Sequence, residues 1–117
     1  MKKYLIFTLA SLLLMSSCFT KKAESDVFTG APGEVKLITL DPGHFHAALV
    51  QKDSYDQVSD KIYVYAPDGD DVKEHLKKIE GYNTRTDSPT KWQEVVYKGP
   101  DFLERMLVEK KGNVMVT

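Results

Sequence analysis

Three times in this chain an apolar, β-branched run gives way to a turn and then to a helix-period stripe, and a fourth apolar run follows. The runs are Val35–Leu40, Lys61–Ala66, Gln93–Tyr97 and Asn113–Thr117. Each connection is long enough for a crossover and too long for a tight hairpin. The alternation therefore predicts β-α-β-α-β-α-β, a parallel sheet with helices on its faces. The expected architecture is α/β and doubly wound, with strand order 3-2-1-4, strands one and four central and the C-terminal edge poorly covered.

The helical segments carry their own signals. The first opens near His44, and its stripe of Phe45, Ala48 and Leu49 should face the sheet. Asp53–Asp60 is a polar connector. Pro67-Asp68-Gly69 turns the second strand into a helix buried through Val72, Leu76 and Ile79, with His75 at its polar edge. Asp70 and Asp71 suit its N-terminus, Lys77 and Lys78 its C-terminus, and Gly81 should stop it. Gly81–Lys91 is a polar loop, longer than most connections, in which Arg85 should be solvated. Pro100 and Asp101 open a third helix buried through Phe102, Leu103, Met106 and Leu107, and Lys110-Lys111-Gly112 ends it. Tyr63, Tyr65 and Trp92 read as packing aromatics.

The first 17 residues have the features of a targeting segment. Lys2 and Lys3 precede the apolar run Leu5–Met15, which is shorter than the ~20 residues that span a bilayer. Leu14-Met15-Ser16-Ser17-Cys18 resembles a bacterial lipoprotein cleavage site, after which Cys18 would be the new N-terminus and carry lipid. A plain secretory peptide with an incidental cysteine is the alternative. As the only cysteine, Cys18 forms no intramolecular disulfide. Residues 18–34 are polar and aperiodic, a tether between an anchor and a domain at 35–117. The formal net charge is −1, and more negative without Lys2 and Lys3. No basic patch interleaves with aromatics, so nucleic acid is not an expected partner.

The turn after the first strand, Asp41-Pro42-Gly43, aims the next helix's unpaired N–H groups past the strand end. That arrangement suits an anion, although an ordinary strand–turn–helix corner has the same residues. Against the pattern G-x-G-x-x-G, Gly43 matches the middle glycine, while Asp41 and His46 stand at the other two positions. His44 and His46 lie two apart, pointing about 200° from one another at a helix start, which is awkward for one metal ion. Asp68, Asp70 and Asp71 lack the spacing of a calcium loop and read as helix-start charges.

The pieces L-I-T-L-D-P-G-H-F-H-A-A-L, Y-V-Y-A-P-D-G and V-Y-K-G-P-D-F-L-E-R-M-L-V-E-K-K-G-N-V-M-V-T resemble the N-terminal nucleotide-binding domain of Gfo/Idh/MocA-type oxidoreductases. That is the glucose–fructose oxidoreductase and inositol dehydrogenase family, particularly its exported, lipoprotein-like bacterial members. The resemblance covers Val35–Thr117 and only the first part of the family's length. It implies a Rossmann-like sheet that takes NAD or NADP and transfers a hydride to or from a sugar or polyol. It places Asp41, Gly43, His44, Phe45 and His46 around the pyrophosphate. The acidic residue expected at the end of strand two falls on Ala66, and Asp68, two places on, would lie nearest the adenosine ribose. The family's E-K-P lysine and its sugar-contacting histidine or aspartate have no counterpart here, so no catalytic residue is assigned. The domain at 35–117 is expected to be the front of a longer protein, being shorter than the usual ~100–150 residues. An oligomer is compatible with the full-length form.

Two functional classes stand at this point: an enzyme of that family, and a surface lipoprotein that keeps the scaffold as a binding module. Either would be exported and held to a membrane through Cys18. Metabolic labelling with a fatty-acid probe should mark the wild-type protein, and a Cys18→Ser form should lose the label. Equal labelling of the two would rule out the anchor.

Overall fold

The computed structural model describes residues 27–117; the targeting segment, Cys18 and the start of the tether lie outside them. Four strands form one sheet: β1 (Leu37–Leu40), β2 (Lys61–Ala66), β3 (Gln93–Lys98) and β4 (Val114–Val116). Their order is β3-β2-β1-β4 and every neighbouring pair is parallel, the α/β, Rossmann-like topology that the alternation implies. Among the described residues β4 is an edge strand, so β2 and β1 are the inner pair rather than β1 and β4. Val35 stands outside β1 and makes an isolated parallel bridge to Val58. Its N–H donates to the Gln57 carbonyl and its own carbonyl accepts from Ser59, which turns this stretch toward the connector.

Strand alternation divides the core between the two faces. On one, Leu37, Ile62 and Trp92 pack with Ala48 and Ile79, and Val64 and Ala66 pack with Val72. The covering elements are a 3-10 helix, Phe45–Gln51, and helix α1, Asp70–Thr84. On the other face Ile38 and Tyr65 pack against Met106 of α2, Phe102–Glu109. The Tyr65 hydroxyl donates to Glu109 Oε2 at 2.6 Å, and Arg105 holds the same carboxylate at 2.9 Å. Burial and that hydrogen bond raise the Tyr65 hydroxyl well above its ordinary pKa, so it stays a donor.

Several local expectations change. The first helical segment is 3-10 rather than α, and with three residues per turn it puts residues 45, 48 and 51 in line. Ala47, Ala48 and Gln51 are buried, whereas Phe45 and Leu49 are exposed. Helix α1 runs through Gly81 to Thr84. One glycine costs a helix about 1 kcal/mol, and the added turn returns more than one interaction. Tyr82 packs on the core, and Asn83 accepts from the Trp92 N–H at 2.9 Å and donates to its carbonyl at 2.9 Å. His75 is not at a polar edge; it is 4% exposed, on the same stripe as Val72 and Ile79. In α2 only Met106 is fully buried, Phe102 is half-buried, and Leu103 and Leu107 are exposed, Leu107 at an open groove beside Ile38, Val114 and Met115. Arg85 is not free: it donates to the carbonyls of Lys52 (2.6 Å) and Ser88 (2.9 Å) and pairs with Asp53 at 3.3 Å.

The end of the 3-10 helix is fastened to the start of β3. Trp92 Nε1 donates to the Gln51 carbonyl at 2.5 Å, and the Gln51 amide donates to Glu94 Oε1. Gln51 Oε1 and Glu94 Oε2 are both buried without partners. A protonated Glu94 carboxyl carries an O–H donor as well as acceptors. Burial pushes the Glu94 carboxyl up to about 7, and the Gln51 hydrogen bond opposes that only in part. At the other end of the chain, Gly112 lies against β1. A Cβ there would meet the Lys36 carbonyl oxygen at 2.5 Å and Ile38 Cγ1 at 2.7 Å, neither of which can move freely.

Two outcomes follow for stability. Below about 4.5 both folded and unfolded chains hold the Glu94 proton; between there and about 7 only the folded chain does. Stability should therefore fall as pH rises through that window, by up to ~1.4 kcal/mol per pH unit from this group. Denaturant melts of Glu94→Gln should lose that component of the slope; an unchanged profile would show that Glu94 is not the source. Gly112→Ala should lower stability by roughly 1–3 kcal/mol through overpacking against β1, read as a lower urea midpoint.

Candidate functional site

All three β-to-helix turns lie at the same end of the sheet, the carboxyl end of its strands. The turn after β1 and the first two turns of α1 enclose a cleft of about 280 Å³. Gly43, His44 and Phe45 form one wall; Asp71, Glu74 and His75 form the other, with Lys78 at its far end.

The turn itself is tightly made. The Asp41 N–H donates to the Tyr65 carbonyl at 2.8 Å, which continues the β1–β2 ladder one residue past the strand. Asp41 then takes φ +44°, the left-handed region where glycine is at ease and aspartate is among the better-tolerated alternatives. This is the position of the motif's first glycine, so the chain keeps a left-handed turn there without one. Gly43, by contrast, has no positive φ. A Cβ there would meet Asp71 Oδ2 at 3.5 Å and the Asp41 carbonyl at 3.9 Å, ordinary contact distances.

Not every N–H that the sequence offers is available. Gly43 donates back to the Asp41 carbonyl at 2.7 Å, His46 donates to His44 Nδ1 at 3.3 Å, and Ala47 to the His44 carbonyl at 3.1 Å. The His44 and Phe45 amides have no protein acceptor among the described residues. The seven-residue 3-10 helix behind them contributes only a short dipole. The rings of His44, Phe45 and His46 cluster with centroids 4.0–4.6 Å apart, at the exposed mouth of the turn. These features fit a dinucleotide in part: two free amides and an unobstructed Gly43 favour it, and the Asp41 carboxylate disfavours a phosphate.

Asp68 does not line this cleft. Its exposed carboxylate pairs with Lys98 Nζ at 3.1 Å, across the carboxyl ends of β2 and β3. The hydrogen bond to Lys98 and then its charge hold Asp68 below its ordinary pKa. Asp71 is the acid that reaches the turn. His75 brings an imidazole to the same wall, with Nε2 sealed from water and unpartnered. Burial, and secondarily the charge of Lys78, lower its pKa, so it is neutral at neutral pH. Sequence reading puts Asp71 and Lys78 at helix ends and His75 at a helix edge and gives Glu74 no role; the i, i+3, i+4, i+7 spacing of 71, 74, 75 and 78 is the signal that they share one face.

No protein-family model matches the chain, and no curated protein matches it. A solved structure does: a crystal structure from Parabacteroides merdae ATCC 43184 described as a "putative oxidoreductase", with a TM-score of 0.75 and 75% sequence identity over 75% of this chain. This chain spans 20% of that chain's length.

Proposed function

We propose that this chain is the nucleotide-binding portion of an NAD(P)-dependent oxidoreductase of the Gfo/Idh/MocA type, acting on a sugar or polyol. The observation that carries the reading is the 75% identity to a protein described as an oxidoreductase, combined with a cleft at the carboxyl end of a 3-2-1-4 parallel sheet. In such sheets ligands bind beyond those strand ends; this cleft lies on the β1–β2 side, next to the point between β1 and β4 where strand order reverses.

The bound nicotinamide would supply the hydride chemistry. The residues of this chain bind and orient. The amides of His44 and Phe45 donate to a phosphate oxygen, and Gly43 leaves room for the backbone to approach it. The carboxylates on α1 accept from hydroxyls. As the hydride leaves or joins the substrate carbon, a proton leaves or joins its hydroxyl oxygen, and no residue of this chain is assigned to that proton. An exported form anchored through Cys18 would work where no nicotinamide pool is at hand, so it would retain its cofactor through the cycle or load it before export.

One observation favours the other reading, a lipoprotein module without cofactor: the Gly43 N–H is turned onto Asp41 instead of outward. Calorimetry separates the two. The full-length protein should bind NAD or NADP, and Gly43→Val should lose at least tenfold in affinity, ~1.4 kcal/mol. The added Cβ itself meets only ordinary contacts, and a thermal melt matching wild type would verify that the variant is folded. No binding by wild type, or equal binding by the folded variant, leaves the module as the better reading.

A further inference from the structure

We infer that the open edge of β3 pairs with the same edge of a second copy of this chain, antiparallel and centred on Val96, joining the two sheets into one. This surface is remote from β4 in the sheet order and independent of the nucleotide reading.

The backbone fixes the register. Among the described residues β3 pairs with β2 alone, and it has six residues against three in the other edge strand, β4. The Gln93 N–H donates to the Asp60 carbonyl at 2.8 Å, and the Gly99 N–H to the Ala66 carbonyl at 3.1 Å. Backbone groups alternate in direction along a strand, so residues 93, 95, 97 and 99 face β2. Glu94, Val96 and Lys98 therefore turn their N–H and C=O groups to the open side. Antiparallel pairing about a two-fold axis must set such outward residues opposite one another. An axis at Val96 engages all of them: Glu94 with Lys98, Val96 with Val96, and Lys98 with Glu94. An axis at Val95 would put Lys98 opposite Trp92, whose N–H already donates to Asn83. One at Tyr97 would put Glu94 opposite Pro100, which has no N–H.

The side chains agree with that register on both faces. On the α1 face Glu94 and Lys98 stand opposite each other, so no like charges meet across the axis. On the α2 face Val95 stands opposite Tyr97, a β-branched residue against an aromatic ring, which is a favourable cross-strand pair. Val95 is 46% exposed, and with Tyr97 and its β2 neighbour Tyr63 it lines an open groove of about 470 Å³. Helix α2 leaves this strip uncovered because it packs on Ile38 and Tyr65, nearer the middle of the sheet. Charged residues usually keep edge strands apart; here the two-fold axis sets them against their opposites. The contact is also closed by its symmetry, so it stops at two copies.

The test is sedimentation equilibrium of the full-length protein across a concentration series, in a Cys18→Ser background that removes this chain's own thiol. That parent should dimerise reversibly. Val95→Lys, which sets a charge against the Tyr97 ring of the second copy, should weaken association about tenfold, and Val95→Ile should hold it within about twofold. Val95 is exposed, so both variants should fold, which a thermal melt matching the parent would verify. Oxidation then reads the register. Residues facing each other in a non-hydrogen-bonded pair have Cα atoms about 4.5 Å apart, within reach of a disulfide. Val95→Cys combined with Tyr97→Cys should therefore yield a covalent dimer. Val95→Cys alone should not, because the two copies of residue 95 lie on a diagonal of about 7–8 Å. A monomer at every concentration, a dimer indifferent to Val95→Lys, or a covalent dimer formed by Val95→Cys alone would overturn the inference.

Discussion

A parallel sheet cannot be closed by hairpins, so each strand must be brought back to the same end by a segment that crosses a face. In this chain that constraint settles nearly everything else. It forces the 3-10 helix and α1 onto one face and α2 onto the other. It also gathers Asp41–His44, Pro67–Gly69 and Gly99–Asp101 at one edge, where unpaired amides and short turns meet water. The cleft is a product of that gathering. Its walls come from residues nearly thirty positions apart in sequence, brought together because β1 and β2 are neighbours in register.

What keeps the cleft in shape is the far end of the 3-10 helix. Seven residues of 3-10 structure have little cohesion of their own, and two of the larger apolar side chains, Phe45 and Leu49, face outward. The segment is held instead by the buried methyls of Ala47 and Ala48 and by the polar lock of Gln51, Trp92 and Glu94. A single neutral hydrogen bond contributes about 0.5–1.5 kcal/mol, less than the cost of leaving a buried charge uncompensated. Burial, the larger effect, sets the direction in which the Glu94 pKa moves.

How much of this was legible follows from which signals are local. The parallel pairing comes from alternation, since period and connection length are properties of the chain itself, and the order 3-2-1-4 comes from the doubly wound pattern. The buried face of the first helical segment is less legible: a stripe at 3.6 residues per turn selects Leu49, three per turn selects the buried Gln51, and Phe45, in line with it, is exposed at the mouth of the turn. Gly81 was read as a stop because its propensity is local, while the contacts of Tyr82 and Asn83 that outweigh it involve β3 and its approach. Asp68 is the acid two places past Ala66, where the resemblance expects one; its ion pair with Lys98, thirty residues on, is a contact that no local signal announces. Asp71 was visible only as a helix-start charge, a role it also fills.

Arg85 has a consequence of a different kind. One planar guanidinium group joins the connector after the 3-10 helix, through Lys52 and Asp53, to the loop after α1, through Ser88, and lies 5.6 Å from the Tyr82 ring centre. A lysine could reach one of those acceptors but could not hold the same fan of directions. The two surface connectors are therefore not independent places for insertions. A residue added to either would pull the strap off the other, so over evolutionary time their lengths should change together or not at all.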